Sequence, residues 1–149
     1  MTNVLVVYKK NFESIHDDSL EHLKSSLEGA KSNHQLRVEI RARERVRRAD
    51  FIGRDLVIVL GGDGTLTSIS HNIDESTPVM GVNSHPKSDD PNGSVGFYMD
   101  STLDTFSQDL ERALTGKAII NNLPRLRACL LYTSPSPRDA TLSRMPSSA

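Results

Sequence analysis

Asp55-Leu-Val-Ile-Val-Leu-Gly-Gly-Asp-Gly-Thr-Leu-Thr67 is the stretch that decides how the rest of the chain is read. Leu56 to Leu60 is an unbroken apolar run, the pattern of a strand buried on both faces of a parallel sheet. Gly61-Gly62-Asp63-Gly64 follows, and Thr65 to Asn72 suits a short helix. Strand, glycine loop and helix together make a phosphate-binding layout. Glycine lets the backbone approach an anion, and the N–H groups at a helix start point towards it. Phosphate binding alone does not explain a carboxylate, Asp63, in mid-loop. It suits a general base, or a holder of Mg²⁺ near the phosphates. A third reading needs no ligand: a tight strand-to-helix turn with Asp63 as its cap.

Upstream, Val4 to Tyr8 reads as a central strand. The loop after it, Lys9, Lys10 and Asn11, falls on the ligand side of an open α/β sheet, where it either meets a phosphate or is simply solvated. His16 to Lys31 reads as a helix, with Ile15, Leu20, Leu23 and Leu27 near one face. Leu36 to Ala42 alternates apolar and charged residues, as a half-buried strand near a sheet edge does. Arg43 to Arg54 is arginine-rich. Without interleaved aromatic residues for base stacking, a solvated helix face is expected there rather than a nucleic-acid surface.

Downstream, Pro78 to Val82 is a short buried strand and Ser84 to Ser94 a polar loop. Thr102 to Leu114 is expected to be a helix with Leu103, Phe106, Leu110 and Leu114 on one face, Asp100 or Ser101 as its cap, and Gly116 as its stop. The order β-α-β-α-β-α-β fits a layered, parallel α/β domain.

The chain has 149 residues, enough for one domain of ordinary size. A net charge of −1 argues against nucleic acid as a general partner. No apolar run is long enough for a transmembrane helix, no membrane partner is expected, and the N-terminus lacks a secretory pattern. A single cysteine, Cys129, rules out an internal disulfide framework. A cytoplasmic location is expected.

Asp55 to Thr67 resembles the GGDGT signature shared by NAD kinases, diacylglycerol and sphingosine kinases, and phosphofructokinases. Thr77-Pro-Val-Met-Gly-Val-Asn83 and Ser94-Val-Gly-Phe-Tyr-Met-Asp100 are similar to the NAD kinase pattern, a strand ending in Gly-(Val/Ile)-Asn and a Leu-Gly-Phe segment. The Leu-Pro-x-Gly-Thr-x-Asn-Asp segment of lipid kinases is missing. Ser84 to Ser94 departs from the commonest family form, in which these two segments lie closer together.

The resemblance implies a Rossmann-like layered parallel sheet, the N-terminal domain of a NAD kinase or phosphofructokinase-like enzyme, with a β-rich second domain missing. It divides the chain into a nucleotide-binding kinase domain over 1–120, the start of the truncated second domain over 121–130, and a tail over 131–149. It implies transfer of a phosphoryl group from ATP, or polyphosphate, to the 2′-hydroxyl of NAD, giving NADP. Mg²⁺ or another divalent cation would assist, and the full-length enzyme would be a homo-oligomer. Asp63 would accept the hydroxyl proton; Gly61, Gly62, Gly64 and Thr65 would form the phosphate loop. Phe97 would pack against the adenine, in a pocket that Asn83 helps to shape. Phe97 reads equally well as a core residue. No protein metal ligand is implied.

The tail, rich in proline and serine, resembles translated sequencing-adaptor read-through and is set apart from the fold. The family's second domain carries an Asn-Glu pair that grips the dinucleotide; no Asn-Glu dipeptide occurs here, so the fragment itself is expected to be inactive. The alternatives are another GGDGT kinase, acting on a lipid or a sugar, and a non-catalytic nucleotide-binding module.

Overall fold

The computed structural model describes residues 1–10, 15–89 and 91–126, and in the first turn of the first helix only the backbone. Asn11, Asp90, Cys129 and the tail over 131–149 lie outside the described residues.

The strands are β1 (Thr2–Tyr8), β2 (Leu36–Ala42), β3 (Leu56–Gly61), β4 (Val79–Asn83) and β5 (Ser101–Thr102). The helices are α1 (Ile15–Lys31), α2 (Arg48–Phe51), α3 (Asp63–Ile69) and α4 (Phe106–Leu114). One sheet runs in the order β2-β1-β3-β4-β5, and every pairing is parallel. Parallel neighbours need crossovers, and the helices supply them.

The strand periodicity of two explains the layers. Val4 and Val6 of β1, with Leu56, Ile58 and Leu60 of β3, face Leu20, Leu23 and Leu27 of α1 and Phe106 and Leu110 of α4. Leu5 and Val7, with Val57 and Val59, face the other way and pack on Phe51, Ile69, Ile73 and Met99. The sheet is thus covered on both faces, and all of β3 is buried, as its unbroken apolar run implies. β2 lies at the edge, with its residues only partly buried up to Ala42.

Two expectations need correction. Arg43 to Arg54 is not one helix face. It forms a 3₁₀ turn, Arg43–Arg45, an extended link, and the four residues of α2. The Asp50 carboxylate accepts the Arg47 N–H at 2.8 Å and starts a new helical turn there, while Phe51 is drawn into the core. Most of these arginines are already paired: Arg43 with Glu44, Arg48 with Asp74, Arg54 with Glu39. The helix expected from Thr102 begins only at Phe106, because Ser101 and Thr102 pair with Val82 and Asn83 as β5. Ser101 donates to Asp109 at 2.8 Å instead of capping. Gly116 ends the helix as expected, at φ 71°.

Candidate active site

In this strand order, β1 is flanked by β2 on one side and β3 on the other, so the chain reverses direction across the sheet between β1 and β3. Ligands of open α/β sheets bind at the carboxyl ends of the strands beside such a switch point. The two turns that meet there are Tyr8–Lys10 and Gly61–Gly64, joined by the Lys9 N–H to the Leu60 carbonyl at 3.3 Å. Next to them, at the carboxyl ends of β1 and β2, lies an open cleft of about 410 Å³ walled by Tyr8, Lys10, Arg41 and Arg45. Arg41 is paired with Glu39 at 2.5 Å and Asp50 at 3.3 Å.

The loop after β3 is shaped by close packing. A Cβ on Gly61 would lie 2.9 Å from that of Thr65, and one on Gly62 would lie 2.8 Å from Ser94 Oγ. Thr65 is buried, so its hydroxyl supports the loop from beneath. Gly64 is exposed, with open space around it. Asp63 opens α3, and its carboxylate turns towards a segment more than thirty residues away. Oδ2 accepts the N–H groups of Gly96 at 3.1 Å and Phe97 at 3.0 Å, and the Ser94 hydroxyl at 3.4 Å. Oδ1 accepts the Tyr98 N–H at 2.8 Å. Burial pushes the Asp63 carboxyl up, but these donors outweigh it and hold it below the usual carboxylate range.

Asn83 is buried at the end of β4. Its Nδ2 donates to the Ser94 carbonyl at 3.2 Å, and its Oδ1 accepts the His85 N–H at 3.2 Å. Gly96, at φ 72°, lies so close that an added Cβ would sit 2.6 Å from Asn83 Nδ2. Asn83 therefore fixes the loop that presents Gly96, Phe97 and Tyr98 to Asp63.

Phe97 is 75% exposed, which removes the core reading. It meets Tyr98 edge-on, with ring centroids 4.9 Å apart. Val95 is also exposed beside it. The structure thus brings Asp63, Gly62, Asn83 and Phe97 to one end of the sheet. Sequence reading missed Ser94, which ties Gly62 and Asp63 to this loop; a serine in a polar loop carries no local signal.

Metal binding does not suit these residues. The Asp63 oxygens face N–H donors, the surroundings of an anion, not of a cation's ligand. Among the described residues no group of three His, Cys, Asp or Glu could hold a metal ion. No helix among them is long and apolar enough to cross a membrane.

Residues 2–118 match the family model of the ATP-NAD kinase N-terminal domain. An NADH kinase of Arabidopsis thaliana is 40% identical over 82 residues, covering 48% of this chain and 26% of that protein. A NAD kinase of Syntrophobacter fumaroxidans is 43% identical over 83 residues, covering 54% and 26%. One of Geotalea daltonii is 40% identical over 77 residues, covering 51% and 24%. The matched part thus spans about a quarter of these relatives' length.

Proposed function

The chain belongs to the NAD kinase family, and on that premise we propose that it is the nucleotide-binding part of an enzyme that phosphorylates the 2′-hydroxyl of NAD with ATP or polyphosphate. Residues 1–120 form the kinase domain in this reading, and 121–130 lead into a β-rich second domain that completes the dinucleotide site. The observation that carries the proposal is the Asp63 carboxylate held at the carboxyl end of the sheet beside an exposed aromatic residue, Phe97.

That arrangement supports a direct phosphoryl transfer. The 2′-hydroxyl attacks the terminal phosphorus of ATP. The bond from that phosphorus to its bridging oxygen breaks, ADP leaves, and the hydroxyl proton passes to Asp63. A carboxylate with a lowered pKa is a weak base. Phosphoryl transfer has a loose transition state, so the proton leaves late and a weak base suffices. The exposed Gly64 offers its backbone to the phosphates; Gly61, Gly62 and Thr65 give the loop its shape; Phe97 stacks on the adenine, and Asn83 holds the Phe97 loop. A divalent cation bound with ATP would neutralise phosphate charge. It would come with the nucleotide, since the described residues supply no ligand set.

The test is a chimera of residues 1–118 with the remaining part of a bacterial relative, assayed for NADP formation. The chimera is expected to turn over, and Asp63→Asn to lose at least about a hundredfold in kcat, the usual worth of a positioned base. Undiminished turnover in Asp63→Asn would remove Asp63 as the base. A folded chimera that binds NAD and ATP but makes no NADP would favour a binding module.

A further inference from the structure

The two oxygens of Asp63 are unequally occupied. Among the described residues, Oδ2 takes the N–H groups of Gly96 and Phe97 and the hydroxyl of Ser94, whereas Oδ1 takes only the N–H of Tyr98. Each carboxylate oxygen has about two lone-pair sites, so Oδ2 is saturated and Oδ1 keeps one site open. The three successive N–H groups form a concave anion nest around the carboxylate, made possible by Gly96 in the left-handed region at φ 72°. The nest closes the turn that carries Phe97 and Tyr98. Neither ring anchors itself in the core, since Phe97 is 75% and Tyr98 39% exposed.

We propose that Asp63 divides two tasks between its oxygens: Oδ2 anchors the aromatic turn over residues 96–98 and so builds the binding surface, while Oδ1 is the atom that meets the incoming hydroxyl. The Oδ1 half rests on the kinase reading; the anchoring half does not. Asp63 is then a positioning residue for binding as well as the proton acceptor.

The two tasks separate in two substitutions. In Asp63→Asn the amide carbonyl takes the place of Oδ2 and still accepts from Gly96 and Phe97, while the NH₂ group faces Tyr98. In Asp63→Ala both acceptors are gone. Amide spectra of the ¹⁵N-labelled 149-residue chain read this directly. Expected are small shifts of Gly96 and Phe97 in Asp63→Asn, with Tyr98 moved, and displacement of all three in Asp63→Ala. With NAD as the probe, Asp63→Asn should bind within about tenfold of the parent, and Asp63→Ala at least about tenfold more weakly than Asp63→Asn, the worth of two lost hydrogen bonds.

Equal behaviour of the two variants, or unmoved 96–98 amides in Asp63→Ala, overturns the proposal. The amides of Val6 and Ile58, in the adjacent inner strands β1 and β3, report whether the variant is folded. If Asp63→Ala is not, Asp63→Ser, whose hydroxyl is one bond too short to reach the nest, takes its place with the same expectation. If the parent chain alone binds no NAD, because the segment that completes the dinucleotide site lies outside it, the same titration is made in the chimera of residues 1–118; no binding there counts against the kinase reading, while the amide shifts still decide the anchoring role.

Discussion

Gly81, in the middle of β4, lies so close to Tyr98 that an added Cβ would sit 2.5 Å from the Tyr98 carbonyl oxygen. The same Cβ would lie 3.1 Å from the Met99 Cα, so the obstacle is backbone and cannot swing aside. The bare surface of this one residue lets the aromatic turn settle onto the sheet end.

Gly81→Ala should therefore cost about 1–3 kcal/mol, the usual penalty of overpacking a filled site. It should also move the Tyr98 amide resonance. Urea unfolding and an amide spectrum measure the two effects; a variant with parental stability would show that the segment over 98–99 yields freely.

Phe106 and Phe97 should respond in opposite ways. Phe106 is fully buried between α4 and the sheet, so Phe106→Ala is expected to cost about 3–5 kcal/mol of folding stability.

Phe97→Ala, at an exposed position, should change stability by no more than about 0.5 kcal/mol. It should weaken adenine-nucleotide binding by about tenfold, the scale of one lost ring-on-base contact. Denaturation midpoints and NAD titration separate the two. Large destabilisation with unchanged NAD binding would contradict the adenine contact.

Stability should fall in acid for an identifiable reason. Asp63 is raised by burial but lowered more by its N–H donors, and Glu39 is lowered by hydrogen bonds from Arg54 and Arg41. Both carboxylates take up protons less readily folded than unfolded. Their stabilisation is complete above the ordinary carboxylate pKa and is lost as pH falls through the lowered folded values. Urea midpoints between about pH 6 and pH 3 should drop, and the drop should be shallower in Asp63→Asn. Identical slopes in parent and variant would show that Asp63 contributes nothing to it.

Much of the fold could be read from local pattern. Leu56 to Leu60 announced a strand buried on both faces, and the alternation from Leu36 to Ala42 announced an edge strand; both occur as such. What escaped was decided by distant partners. Ser101 and Thr102 become a strand only because Val82 and Asn83 lie alongside. His34 meets Glu111 at 2.8 Å, joining the turn after α1 to α4, a contact between residues too far apart in sequence for any local pattern to announce. At the site, the glycine loop and its carboxylate were legible as a unit. That the carboxylate faces the N–H groups of residues 96–98 was not, because a link across more than thirty residues leaves no mark on local periodicity. The glycines were also legible only in part. Their freedom near a phosphate was apparent, but the packing of Gly61 on Thr65 and of Gly62 on Ser94 emerged from the tertiary contacts.

The all-parallel sheet has a kinetic consequence. No two neighbouring strands can meet as a hairpin, so every pairing waits for a crossover. The pairing at the middle of the sheet joins Val4 to Leu56, and between them β2 must be laid on the opposite side of β1. Such non-local closure slows folding. Until β3 arrives, Val4 to Val7, wholly buried in the finished sheet, offers a bare apolar ribbon to any other chain. Refolding yield should thus depend on protein concentration, with dilution favouring the native fold over aggregates.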